Sequence, residues 1–137
     1  MAALIGLALA VLVALFARVV GFDRDRAFYP VVLIVVGSYY VLFATISGNA
    51  ADLQTALLSF ALFLAFAVAG FRLNPWFAVA GLAMHGLFDF FHGAYVGGGG
   101  VPLWWPWFCA AYDIAAAACL ALLLIVRRGH GGRSSPG

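Results

Sequence analysis

The chain has 137 residues, of which 66% are hydrophobic and 9% charged, with a formal net charge of +2. A soluble domain carries roughly a quarter of charged residues, so this composition excludes a soluble globular fold and requires the bilayer as solvent for most of the chain. The small net charge leaves no electrostatic footprint for nucleic acid.

Five apolar segments follow in order, each near the ~20 residues that span a hydrocarbon core. The first, about residues 2–20, is almost pure Ala, Leu, Val and Ile and holds no polar side chain before Arg18. It lacks a basic leader region and a clear cleavage site, which predicts a retained transmembrane helix and not a signal peptide. The second, about 28–47, tolerates Pro30 in its first turn and carries Ser38, Tyr39 and Tyr40 in its second half. The third, about 52–71, opens on Asp52, favourable at the positive end of a helix dipole, followed by Gln54, Thr55 and Ser59. The fourth, about 75–96, is announced by Asn74 as a cap and Pro75 in the first helical position, and Gly97–Gly100 ends it. The fifth, about 106–126, again starts on a proline. Residues 127–137 are rich in Gly, Ser and Pro and are expected to form a disordered cytoplasmic tail. The predicted fold is therefore all-α, an integral membrane helical bundle of five transmembrane helices, with residues 1–126 as a single domain.

Orientation follows from arginine, the only basic residue besides histidine. With five spans, Arg18, Arg24, Arg26, Arg72, Arg127, Arg128 and Arg133 all fall on one side, and the connections on the other side carry none. Such segregation predicts that side to be cytoplasmic, with the N-terminus outside and the C-terminus inside. The expected location is the cell membrane, a bacterial inner membrane in the first instance. Trp104, Trp105 and Trp107 near the outer end and Trp76 near the inner end read as an interfacial aromatic belt. One of the clustered three is placed to roof a pocket.

The fourth segment breaks its apolar run with His85, Asp89 and His92, at i, i+4 and i+7, which share one helical face. Ionisable side chains inside a span are expensive and mark functional sites by default. The fifth segment offers Cys109, Tyr112 and Asp113. Counting rise per residue from the outer ends puts His92 level with Cys109 and Asp89 level with Asp113. Tyr40 and Ser59 fall in the same outer half. The expectation is a pocket opening outward, lined by Tyr40, Ser59 and Tyr112. Two cysteines on one helix, Cys109 and Cys119, cannot bridge each other.

Three chemistries fit this cluster. His85, Asp89 and His92 are a competent ligand set for one divalent metal, Zn²⁺ or Fe²⁺, with Asp113 or Cys109 assisting in catalysis. That would be a hydrolase or oxidoreductase acting on a small or lipid-derived molecule. Alternatively, His85–Asp89 and His92–Asp113 are paired groups that fix helix packing or bind a small ligand, without catalysis. A proton-coupled transport path is the third reading, though the inner half offers no polar continuation below His85. Expected partners are the lipid bilayer, a small-molecule or lipid ligand and a second copy of the chain in a homo-oligomer.

Read together, the two segments spell H-x-x-x-D-x-x-H from His85 to His92, then P-x-x-W-P-x-x-C-x-x-x-D from Pro102 to Asp113. This pattern resembles the C-terminal half of a family of small bacterial and fungal multi-pass membrane proteins grouped as a domain of unknown function. The resemblance covers the fourth and fifth segments. Its fungal members have a more compact loop, from which Gly97–Gly100 departs. It implies that His85, Asp89, His92, Cys109 and Asp113 form one motif, and it implies no activity.

Overall fold

A computed structural model describes residues 1–92 and 100–131 of the chain. Five helices run in order: α1 (Ala2–Val20), α2 (Phe28–Ser47), α3 (Ala50–Arg72), α4 (Trp76–Phe91) and α5 (Trp105–Gly131), with a 3₁₀ turn at Phe22–Arg24 between the first two. Four of them, α1, α2, α3 and α5, are long and apolar enough to cross a membrane. The 16 residues of α4 make ~24 Å of helix. The predicted continuation of the fourth segment to Val96, its glycine stop at Gly97–Gly100 up to residue 99, and the tail beyond 131 lie outside the described residues.

The turns are set by local chemistry. Gly21 ends α1 in the left-handed region, φ 93°, where its N–H reaches the Ala17 carbonyl at 2.8 Å. Gly48 ends α2 in the same way, and Asn49 at once caps α3, its Oδ1 accepting from the Ala51 N–H at 3.0 Å. That cap starts α3 two residues before the predicted 52, because a Gly-Asn pair joins a C-terminal stop directly to an N-terminal start. Asn74 accepts from the Trp76 N–H at 3.1 Å, as a residue two before a helix interior should. At the far end α5 continues through Arg127 and Arg128 to Gly131.

Helices α2, α3, α4 and α5 form a bundle in which each packs closely on the next, and α1 lies along the outside of α5. The ring is not tightly closed: α2 and α5 are not close backbone neighbours, and neither are α1 and α2. Leu33, Phe63, Leu82, Ala116, Ala117 and Leu120 meet in the core, drawn from all four bundle helices. Outward-facing side chains are apolar on every helix, among them Leu12, Val31, Leu58, Phe90 and Leu122. A surface of that kind is matched to lipid and not to water. The protein is a multi-pass membrane protein.

The arginine-bearing end is knitted together. Asp23 is buried and accepts from Arg18 at 3.1 Å, and Arg127 stands 3.6 Å from the same carboxylate while donating to the Asp23 carbonyl at 3.1 Å. Arg128 lies over the Trp76 ring, 5.9 Å from its centre. These contacts tie the ends of α1, α4 and α5 on one side of the bundle.

Close approaches at glycines set helix register, and two of them fall against α5. On α1, a Cβ at Gly6 would collide with the Phe108 carbonyl oxygen of α5. On α4, a Cβ at Gly86 would stand 2.9 Å from Ile114 Cγ1 and 3.1 Å from the Ala110 carbonyl oxygen. Small residues let helix backbones approach in lipid, where packing replaces the hydrophobic effect as the driving force. Replacing Gly86 by alanine should destabilise the protein by about 1–3 kcal/mol through overpacking, measured by unfolding in mixed micelles. Gly86→Leu should cost more and push α4 away from α5.

Candidate metal centre

Gly86 matters because its neighbour is His85. With α4 pressed against α5 at this level, the imidazole meets two carboxylates. His85 Nδ1 lies 2.7 Å from Asp113 Oδ2 on α5 and 3.2 Å from Asp89 Oδ2, one turn further along α4. His85 is 1% exposed, and Asp89 and Asp113 are 0% exposed. One ligand atom from each of the three falls within 4.8 Å of the others. The protein therefore contains a buried His/Asp cluster capable of coordinating a metal ion.

The cluster is short of hydrogen-bond donors. Asp89 Oδ1 and Oδ2 and Asp113 Oδ1 are buried with no well-formed hydrogen bond among the described residues. The ring nitrogen of His85 makes its good bond to Asp113, which leaves the Asp89 oxygen near but out of line. Formal charge is also unbalanced. One neutral imidazole and two carboxylates carry two negative charges; protonating the ring removes one, and the other is balanced either by a proton held on one aspartate or by a cation. Buried charge in a low-dielectric setting is tolerated only when compensated. Arg18, Arg127 and Arg128 sit at the other end of the bundle, tied to Asp23 and Trp76. A single divalent cation would balance the charge and supply an acceptor-hungry partner to the orphaned oxygens.

Distances suit such an ion. Ligands at ~2.0–2.1 Å in tetrahedral geometry stand ~3.3 Å apart. Nδ1 and Asp89 Oδ2 already have this separation, and Asp113 would have to open from His85 by roughly half an ångström.

Aromatic rings enclose the imidazole. Phe63 of α3 packs edge-on against His85 with centroids 4.6 Å apart, and Tyr40 of α2 lies 6.1 Å away. Tyr40 is buried, and its hydroxyl stands against Asp89 without a well-formed hydrogen bond among the described residues. Nothing in the sequence distinguished Phe63, an apolar residue in an apolar helix.

The other predicted site residues take separate places. His92 stands toward the loop end of the bundle, stacked on Phe88 at 5.8 Å and edge-on to Tyr40 at 4.9 Å. Its Nε2 is buried and unpartnered among the described residues, and it is not one of the three grouped ligands. Asp113 pairs with His85, and not with His92. Cys109 is buried as a free thiol one turn from Asp113, and Cys119 is half-buried further along the helix. Ser59 is half-buried and bonds back to its own helix, at the Thr55 and Ala56 carbonyls. Tyr112 is half-buried, packs against the bundle core and lines an apolar groove. Of the clustered tryptophans, Trp105 packs on Tyr39 at 4.9 Å and Phe43 at 5.1 Å.

Comparison of the chain with protein-family models, with curated proteins and with solved structures found no match.

Proposed function

We propose that the chain is a small membrane metalloenzyme that holds one divalent cation, Zn²⁺ or Fe²⁺, on His85, Asp89 and Asp113. The observation that carries this reading is the surplus of buried carboxylate: two aspartates share one imidazole, with three acceptor oxygens lacking a well-formed bond. Three protein ligands leave a fourth position for water or substrate, as catalytic zinc sites do. One histidine with two carboxylates is not the two-histidine, one-carboxylate triad of non-haem iron oxygenases. The donor set favours Lewis-acid chemistry, in which the ion lowers the pKa of bound water and polarises a carbonyl or phosphoryl oxygen. Hydrolysis is the reaction class that follows.

The chain's own residues have distinct parts in it. Asp89 and Asp113 supply charge, and His85 supplies the nitrogen ligand. Phe63, Phe88 and the Tyr40 ring exclude bulk water, which strengthens every electrostatic interaction inside. His92, whose Nε2 is free to take or give a proton, stands next to Tyr40 on the way out and carries protons between the cluster and the outer surface. Cys109 forms part of the wall.

Five crossings with the arginine end in the cytoplasm complete the reading. Its support is that every described arginine belongs to the end that holds Asp23 and Trp76. Leu103→Cys, 87% exposed near the start of α5, should react with an impermeant maleimide added outside cells, and Arg26→Cys should react only after permeabilisation. The reverse pattern would invert the topology.

A structural role for the cluster is the second reading, favoured by the 2.7 Å bond from His85 to Asp113 across two helices. Elemental analysis of detergent-purified protein separates the two. About one metal per chain is expected in wild type, lost in His85→Ala and Asp113→Asn and kept in His92→Ala. Protein that stays folded, is free of metal and takes up none on incubation with Zn²⁺ or Fe²⁺ has a structural cluster only.

A further inference from the structure

The arginine-bearing end of the bundle holds a recess of a different chemistry from the His/Asp cluster. It has a volume of about 480 Å³ and is lined by Arg18 of α1, Arg24 of the 3₁₀ turn, and Val126 and Arg127 of α5. That size falls within the ~300–1,000 Å³ of small-molecule sites. Local folding explains why three guanidiniums meet there. Gly21 turns the chain back at the end of α1, φ 93°, and Arg24 folds over it, its Cδ and Nε standing 3.9 Å from where a Cβ at Gly21 would lie. Arg127 arrives beside them because α1 packs along α5.

The charge on the recess is not cancelled within the protein. Asp23 is the acid nearest to it, accepting from Arg18 at 3.1 Å and standing 3.6 Å from Arg127. Its carboxylate is buried and borders a separate, smaller cavity with Tyr29 and Leu124. Asp25 borders that second cavity too, and accepts from the Ala27 N–H. Arg24 makes no side-chain hydrogen bond or ion pair among the described residues. Three positive charges therefore face one negative charge. Arg18 and Arg127 keep 61% and 42% of their side chains exposed while holding Asp23. A guanidinium has five N–H donors in a planar fork, so donors remain for a ligand on the open side.

The fork matches phosphate oxygens two at a time. The position of the recess supplies the rest of the ligand. The apolar run of α1 stops at Val20 and that of α5 at Val126, where helices leave the hydrocarbon for the head-group layer. Leu15, one turn before Arg18, and Leu122, one turn before Val126, are exposed and apolar. A phosphate joined to hydrocarbon would use both surfaces, and a soluble phosphate only the first. We propose that the recess binds the phosphate head group of an anionic phospholipid, held by Arg18, Arg24 and Arg127, with its acyl chains against α1 and α5. Basic pockets between transmembrane helices recognise lipid head groups by this chemistry. The bound lipid would tie the turn and the end of α1, the helix on the outside of the bundle, to α5. The site rests on the arginines alone and is independent of the metal centre.

Native mass spectrometry of the detergent-purified chain tests it, with phosphatidylglycerol and phosphatidylcholine of the same acyl chains as probes. Phosphatidylglycerol should bind as a single lipid, about tenfold or more tighter than phosphatidylcholine, whose tethered cation offsets its phosphate. Arg24→Gln should weaken phosphatidylglycerol by about fivefold, the share of one arginine beside an anionic head group. Arg26→Gln removes the same charge from the same connection but outside the recess, and should leave binding within about twofold of wild type. Arg24→Lys keeps the charge and should recover part of the loss, which separates an effect on the ligand from one on folding. Equal losses in Arg24→Gln and Arg26→Gln would mean diffuse attraction and overturn the site, as would equal binding of the two lipids. Inorganic phosphate should not displace the lipid. Displacement by it at comparable affinity would make the recess a site for soluble phosphate and overturn the lipid assignment.

Discussion

Replacing His85 by alanine should destabilise the metal-free protein by about 3–5 kcal/mol, the range for removing one partner of a buried ion pair. The imidazole is the one donor both carboxylates face, at 2.7 Å and 3.2 Å. Without it, Asp89 and Asp113 confront each other across α4 and α5 in a site with no measurable exposure. The loss of ring contacts to Phe63 and Tyr40 adds a cavity cost. Unfolding in mixed micelles would read this loss. His92→Ala is the matched control, since it removes a ring packed on Tyr40 and Phe88 and bonded to no carboxylate among the described residues. It should cost clearly less. Equal losses in the two variants would mean that ring packing, and not the ion pair, is what His85 contributes.

Asp89→Asn should change sign with metal. In chelator, the amide removes a surplus charge from a buried site and supplies a donor to Asp113, so the variant should be more stable than wild type by on the order of 1 kcal/mol. With zinc in excess the order should reverse. A ligand that binds only the folded state stabilises it by about 2.7 kcal/mol at a hundredfold excess over its dissociation constant, and the variant has lost a charged ligand. Paired unfolding curves with and without Zn²⁺ measure both halves. A purely structural cluster would show no crossing, because zinc would leave the wild type where it was.

The sequence made the helices legible for physical reasons that are local. Pro30, Asn74, Pro75 and Pro106 sit where start signals belong, and the helices begin close to them. Extending the sequence's helical face along α4 was enough to join His85 with Asp89, since one helix fixes that geometry. The partner on α5 was not readable with the same certainty. Counting residues from the outer end matched Asp113 to Asp89 in depth, but the choice between His85 and His92 depended on where α4 and α5 touch. That contact is made by Gly86 against Ala110 and Ile114, a packing property no single-helix count contains. Phe63 and the groove were invisible for a related reason. Apolar residues in an apolar helix carry no mark of which neighbour they meet, and the seam between α2 and α5 exists only once four helices have chosen their neighbours.

X-ray absorption at the metal edge tests the central claim most directly, because it reports the ligand atoms themselves. A centre built from His85, Asp89 and Asp113 should give a first shell of nitrogen and oxygen near ~2.0–2.1 Å, with outer-shell scattering from one imidazole that disappears in any metal retained by His85→Ala. Scattering from two imidazoles, or a sulfur shell near ~2.3 Å from Cys109, would contradict it.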